Sequence, residues 1–330
     1  MYTKRRLIKS LVSFFFVIFY KTNLLAKINF KQTLVLTNNI FSKHLNPKNH
    51  PENPERFKKI IQILKKSKLD SLIKNIELEN KSEKWINEIH SKKHIQNIKE
   101  NEPLGHILSS AAAEICMRGV DLILNKKTKN VFCAVRPPGH HALNTGKQEG
   151  FCYYNHVAVA TKYIQKTYKI KKILIVDWDY HHGNSTEYFF YDDPSVLFFS
   201  THDQFAYPGT GLPSRKGSKQ GRGFNINVHL PCETTDDEII ETFKTILVPK
   251  AEAFKPDFVI ISAGFDSRTN DLLGCYNITD EGFKKLTQIV MNISNKFCEG
   301  KLMSVLEGGY NLEGNASASL AHIKELNNYI

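Results

Sequence analysis

Asp177, Asp179, His181 and His182 fall within six residues of one another, inside the stretch Ile173-Leu-Ile-Val-Asp-Trp-Asp-Tyr-His-His-Gly-Asn184. Four apolar residues run straight into them, so a buried parallel strand delivers oxygen and nitrogen donors to its C-terminal edge. That edge is where open α/β sheets build their sites. Side chains alternate along an extended segment, which puts Asp177, Asp179 and His181 on one side and Trp178, Tyr180 and His182 on the other. Two carboxylates and two imidazoles held this close are costly without a cation, so a metal site outweighs a solvated turn.

Similar polar material follows other apolar runs. After Val131-Phe-Cys-Ala-Val135 comes Arg136-Pro-Pro-Gly-His-His-Ala142, a loop stiffened by two prolines that presents His140 and His141 together as a candidate base and electrostatic partner. After Phe258-Val-Ile-Ile-Ser262 comes Ala263-Gly-Phe-Asp266. Asp266 would complete a set of two carboxylates and one imidazole, leaving positions open for water and substrate as a catalytic zinc requires. After Leu302-Met-Ser-Val-Leu306 comes Glu307-Gly-Gly-Tyr-Asn-Leu312, whose Tyr310 could donate a hydrogen bond to a developing oxyanion. A lone His-His pair reads as surface and a lone Gly-Gly-Tyr as packing. Their recurrence at successive strand ends reads as one site.

The elements that must position these groups alternate along the chain. Strands are expected at 33–37, 131–135, 173–178, 196–200, 224–228, 258–262 and 302–306, and helices near 54–66, 110–124, 155–167, 236–254 and 280–297, with Asn53 capping the first of these helices and Pro54 in its first turn. Repeated strand-helix units predict a single α/β domain with a mainly parallel sheet and helices on both faces.

The chain has 330 residues and a formal charge of +12. Residues 1–50 hold nine Lys and Arg and no Asp or Glu, so the remainder carries 12 − 9 = +3. A nucleic-acid-binding face on the body is therefore not expected. The six cysteines are widely spread with no C-x-x-C pair, which predicts buried thiols in a reducing, cytoplasmic compartment rather than a disulfide framework. Residues 1–30 form a basic and hydrophobic extension: Lys4, Arg5, Arg6 and Lys9 precede Leu11–Tyr20, a candidate export or organelle-targeting segment, and 31–330 is expected to be the catalytic domain. No stable membrane span is expected.

R-P-P-G-H-H-A at 136–142, G-F-C-Y-Y-N at 150–155, D-W-D-Y-H-H-G-N at 177–184, Y-P-G-T-G at 207–211, S-A-G-F-D at 262–266 and L-E-G-G-Y-N-L at 306–312 resemble the zinc-dependent histone deacetylase superfamily, closest in pattern to its class II and bacterial amidohydrolase members, which include acetylpolyamine amidohydrolases. The resemblance implies an arginase/deacetylase-like single domain. It implies Zn2+ on Asp179, His181 and Asp266, His141 as general base and then acid, and His140 as its neighbour. Asp177 and Asn184 would each hydrogen-bond one histidine, and Tyr310 would be the oxyanion donor. Asp177, Ser200 and Thr201, partly through backbone carbonyls, would hold a structural K+. Phe151 and Tyr207 would wall an acyl-lysine tunnel, with Gly150 touching substrate and Arg56 lining an internal channel for acetate. The implied activity is hydrolysis of acetyl or other acyl groups from amine nitrogen, on lysine of proteins or, alternatively, on acetylated polyamines. A non-catalytic acyl-lysine-binding module is a third reading.

The chain departs from the usual pattern at several positions. Tyr207 stands where phenylalanine is commoner, His156 replaces a second Asn, Ser185 replaces a Gly, and Arg268 follows Asp266 closely. Together they leave substrate choice open.

Overall fold

The computed structural model describes residues 32–328, so the N-terminal extension expected over 1–30 lies outside the described residues. Eight strands form one sheet: β1 (Thr33–Thr37), β2 (Ile73–Asn75), β3 (Asn130–Cys133), β4 (Ile173–Asp177), β5 (Val196–His202), β6 (Asn225–His229), β7 (Phe258–Ala263) and β8 (Leu302–Leu306). They are ordered β2-β1-β3-β8-β7-β4-β5-β6, and every pairing is parallel. The single α/β domain with helices on both faces is the architecture anticipated from the apolar runs.

Those runs are continuous because each strand is buried on both sides. Leu174, Val176, Leu197, Phe199, Val259 and Ile261 enter one apolar layer. Ile173, Ile175, Val196, Phe198, Phe258 and Ile260 enter the other. The first layer is covered by α1 (Pro54–Lys66) and by helices α7 (Asp236–Thr242), α8 (Val248–Phe254), α9 (Asp280–Cys298) and α10 (Leu312–Asn328). The second is covered mainly by α4 (Pro103–Leu124) and α5 (His156–Tyr168). Short helices α2 (Glu83–Ile86), α3 (Lys92–Asn101) and α6 (Asn184–Phe190) are the remaining α-helices among the described residues.

β2, α2, α3 and α6 stand where no element was expected, and two further features differ from the sequence reading. Helix α4 begins at Pro103 rather than 110, since Gly105, which masks its helical pattern, is where the Tyr153 ring packs too closely for a Cβ. The second is a correction: Cys232 and Cys275 form a disulfide, where only thiols were expected. Their 43-residue separation carries no spacing signal. The pairing arises because the loops following β6 and β7 run together, with the Glu233 N–H donating to Cys275 O at 2.8 Å and the Asn277 N–H to Thr234 O at 2.8 Å. Cys116, Cys133, Cys152 and Cys298 are free and buried.

The sheet order has one functional consequence. β3, β8, β7 and β4 are consecutive neighbours, so the segments that follow them, 136–142, 307–310, 264–266 and 178–182, emerge side by side at one edge.

Candidate active site

At that edge Asp179, His181 and Asp266 converge, each buried, with one donor atom apiece within 4.8 Å of the others. His181 Nδ1 lies 3.0 Å from Asp266 Oδ2 and 3.2 Å from Asp179 Oδ1. A tetrahedral zinc with bonds near 2.0 Å spaces its ligands by roughly 3.3 Å. The carboxylates are themselves held by backbone: the His181 N–H donates to Asp179 Oδ1 at 2.8 Å, the Gly308 N–H to Asp179 Oδ2 at 2.8 Å, and the Tyr180 N–H to Asp266 Oδ1 at 2.8 Å. Position 308 must be glycine for this approach, because a Cβ there would collide with both carboxylates.

The electrostatics of the cluster call for positive charge. Burial, reinforced by the charge of Asp179, pushes the Asp266 carboxyl up to about 7. Burial opposes charge on His181, but its two carboxylate partners raise it to about 10. Two acids that cannot share a dry site as anions, beside an imidazole drawn towards a proton, suit a divalent ion.

His140 and His141 stand beside this cluster with ring centroids 4.0 Å apart, in contrasting surroundings. His140 Nδ1 meets Asp177 Oδ2 at 3.0 Å. Burial disfavours its charge, yet Asp179, Asp177 and Glu307 outweigh that and hold its pKa well above the ordinary value. His141 Nδ1 meets the neutral Asn184 Oδ1 at 2.8 Å. Burial, helped by positive charge on His140 and His181, holds His141 well below its ordinary value. One imidazole is kept charged and the other neutral, with Nδ1–H of His141 committed to Asn184 and Nε2 left as an acceptor.

The floor opens into a cavity of about 510 Å³ lined by His141, Gln148, Gly150, Phe151, Tyr180, His181, Ala206, Tyr207, Leu273 and Tyr310. Gly150 and Phe151 occupy the centre of a tight turn closed by reciprocal Glu149–Cys152 bonds, and both have positive φ, at 51° and 69°. For Phe151 that conformation is costly, a strain that clusters at functional sites. The turn sets the Phe151 ring edge-on to Tyr310 at 5.7 Å, while Tyr207 stands edge-on to His141 at 5.0 Å. Tyr310 is buried, and burial raises its phenol well above the ordinary value, keeping it a proton donor. Its N–H and that of Asn311 donate to Asp271 Oδ2 at 2.7 and 2.9 Å.

Other residues singled out from sequence lie outside the cavity lining. Arg56 is buried behind Tyr310, 4.8 Å from the ring centre, donating from Nε to Gly309 O at 2.6 Å and from Nη2 to Glu307 O. Asp177 pairs in register with Ser200, whose hydroxyl bonds His202 Nδ1 at 2.8 Å. Thr201 is buried with its hydroxyl unpartnered, the kind of orphan that a nearby cation would satisfy. Arg268 turns away from the cavity to Asp280, Nε to Oδ1 2.8 Å. Glu307 was not singled out, although it stands in the L-E-G-G-Y stretch. Burial pushes its carboxyl up to about 7, and its Oε2 accepts from the N–H groups of Gly139 at 2.7 Å and His140 at 3.2 Å.

A parallel α/β sheet carrying this floor marks a deacetylase-type hydrolase, and comparison with known proteins narrows the class. The histone deacetylase domain family matches residues 50–326. A probable deacetylase of Archaeoglobus fulgidus is 33% identical over 289 residues, covering 83% of this chain and 80% of that protein. Histone deacetylase 15 of Arabidopsis thaliana is 43% identical over 219 residues, covering 65% of this chain but only 39% of the plant protein. The crystal structure of the HDA15 HD domain superposes with a TM-score of 0.83 at 34% identity, covering 90% of this chain and 89% of that one. The chain belongs to the histone deacetylase family. No helix among the described residues is long and apolar enough to cross a membrane.

Proposed function

We propose that this deacetylase hydrolyses Nε-acyl-lysine in polypeptides, with acetyl as the acyl group. Asp179, His181 and Asp266 would hold a divalent ion, Zn2+ by family membership, which when bound supplies Lewis acidity towards the amide carbonyl and the attacking water. His141 Nε2 takes the proton of that water as its oxygen attacks the carbonyl carbon. The Tyr310 phenol donates to the oxygen that gains charge. His141 then returns the proton to the leaving nitrogen, and the products are a carboxylate and a free amine. His140, held charged by Asp177, keeps the pair positive next to the developing oxyanion. Phe151 and Tyr207 clasp the lysine stem and exclude water, and Gly150 leaves room for it between them. A monovalent cation, K+ by family pattern, would sit near Asp177, Ser200 and Thr201 and brace the strand end.

The observation that carries this reading is the contrast between a neutral, acceptor-ready His141 and the acid-rich triad beside it, whose His181 lines the same cavity as His141 and Tyr310. The preference for polypeptide over polyamine rests on the cavity wall. None of its ten lining residues is Asp or Glu, whereas a polyamine brings further ammonium groups that need anionic partners. The rim supports the same preference, since Phe205 and Leu272 beside it are 81% and 66% exposed. The test assays an acetyl-lysine peptide and acetylspermidine side by side, with chelator and His141→Ala controls. Faster turnover of the peptide is expected. Faster turnover of acetylspermidine overturns the substrate assignment, and inertness towards both by zinc-loaded protein overturns the hydrolase reading in favour of a binding module.

A further inference from the structure

Ser185 and His156, two of the chain's departures from the family pattern, do not face the cavity. Both lie fully buried behind the loop that carries the two active-site histidines. Ser185 Oγ donates to His140 O at 2.8 Å, adding to the Ser185 N–H, which donates to the same oxygen at 3.1 Å. The hydroxyl is itself oriented by Asn155, whose Nδ2 donates to it at 2.7 Å while Oδ1 accepts from the Ala158 N–H at 2.8 Å and caps α5. His156 is the first residue of that helix, and its Nε2 lies 3.0 Å from Pro137 O. Carbonyl oxygen only accepts, so Nε2 carries the proton. The start of one helix thus grips the loop at Pro137 and, through Ser185, at His140.

The N–H groups of the same loop go elsewhere, to Glu307 at Gly139 and His140. Every bond in this set is buried, so solvent does not replace one that is lost: without the imidazole Pro137 O is left unsatisfied, and without the hydroxyl His140 O keeps only the longer bond from the Ser185 N–H. The position of His141 follows from the backbone of His140. An error of about 1 Å at a reacting group can cost on the order of 10²-fold.

We propose that Ser185 and His156 are positioning residues for the catalytic histidine pair, clamping the 136–142 loop so that His141 faces the reacting water. Glycine and asparagine at these places cannot make the same two bonds, since glycine has no hydroxyl and asparagine is shorter than the imidazole that reaches Pro137 O. The departures are therefore coupled, one hydroxyl and one imidazole acting on a single loop. This inference rests on His141 acting as the base.

The test compares purified, zinc-quantified Ser185→Ala, His156→Ala and the double variant with wild type and with His141→Ala, using an acetyl-lysine peptide. Each single variant is expected to lower kcat about 10-fold while KM and zinc content stay unchanged, and the double variant to lose less than the product of the two. His156→Gln, whose amide can still donate to Pro137 O, is expected to recover most of the loss, which a cavity-filling role for the ring would not predict. Should His156→Ala fail to fold, Ser185→Ala and His156→Gln carry the test. Wild-type kcat in folded Ser185→Ala, or a change confined to KM, overturns the clamp while a dead His141→Ala leaves the mechanism standing. An active His141→Ala overturns the mechanism itself.

Discussion

The floor of the cavity and its rim are built on opposite principles. On the floor, Asp179 and Asp266 receive backbone N–H groups, His140 and His141 each have a fixed side-chain partner, and Asp177, Asp179, Asp266, His140, His141 and Tyr310 are all buried. These groups come from the ends of four adjacent strands, so their spacing is set by the sheet. The rim comes from loops, and it leaves Phe205, Leu272, Leu273 and Tyr207 at least 40% exposed. The two are stitched together by few contacts, among them Asp271 to the Tyr310 N–H and Cys275 Sγ to Tyr180 Oη at 3.1 Å. A rigid polar floor under an apolar, loop-built rim separates bond breaking from substrate choice. Changes to the floor should therefore act on kcat and changes to the rim on KM.

The largest expected effect comes from unmaking the floor's charge balance. Chelation, or Asp179→Asn, should lower kcat/KM on the order of 10³-fold or more, because Lewis-acid stabilisation is worth several kcal/mol. Zinc content measured by emission spectrometry should fall in step with activity. Full turnover by protein free of metal would remove the floor from the chemistry. Next in size is Tyr310→Phe, which deletes one oxyanion donor and should reduce kcat by about 10²–10³-fold with KM nearly unchanged. A rise in KM instead would move Tyr310 from the floor's role to the rim's.

The floor's supports were legible in sequence to different depths. Asp179, His181 and Asp266 could be picked out because each follows a run of apolar residues that only a two-faced buried strand explains. Glu307 could not, because a carboxylate in a glycine turn looks solvated until the sheet places it under the His140 loop. Ser185, His156 and Arg268 were read only as departures that leave substrate choice open, since they neighbour the motifs along the chain. The structure turns each away from the cavity, since sequence adjacency does not fix side-chain direction once a strand has ended. The Cys232–Cys275 disulfide and the first turns of α4 were missed for a related reason. One depends on loops meeting across the fold, and the other on a glycine that lowers helical periodicity but is required by Tyr153.

The scaffold beneath the floor is itself acid-sensitive. His322 is buried, bonded to Thr287 Oγ1 at 2.7 Å and Ser304 Oγ at 2.9 Å, and burial lowers it to about 3 from the ordinary 6.5. Because the folded value is the lower one, its stabilising contribution is complete above pH 6.5. It is lost progressively as pH falls towards 3, when the unfolded chain takes up a proton that the native ring refuses. Within that window the ring should contribute a slope of about 1.4 kcal/mol per pH unit. Urea unfolding of His322→Gln from pH 6.5 to 4.5 should show a slope shallower by about that amount, and an unchanged slope would mean the ring is protonated in the native state.

The smallest expected effect sharpens the comparison most. Phe205 and Leu272 touch no group of the floor in any hydrogen bond or ion pair, so Phe205→Ser and Leu272→Ser should leave kcat unchanged. If they receive apolar residues flanking the acyl-lysine, each should cost about 1 kcal/mol of binding, a fivefold rise in KM. The loss should be confined to peptides with apolar flanks, since a minimal acyl-lysine amide reaches the floor without covering the rim. Steady-state kinetics on the two substrates separates the cases. An equal rise in KM for both would show that the rim shapes the cavity itself, and a fall in kcat would show that loop and floor move together, which would dissolve the division between them.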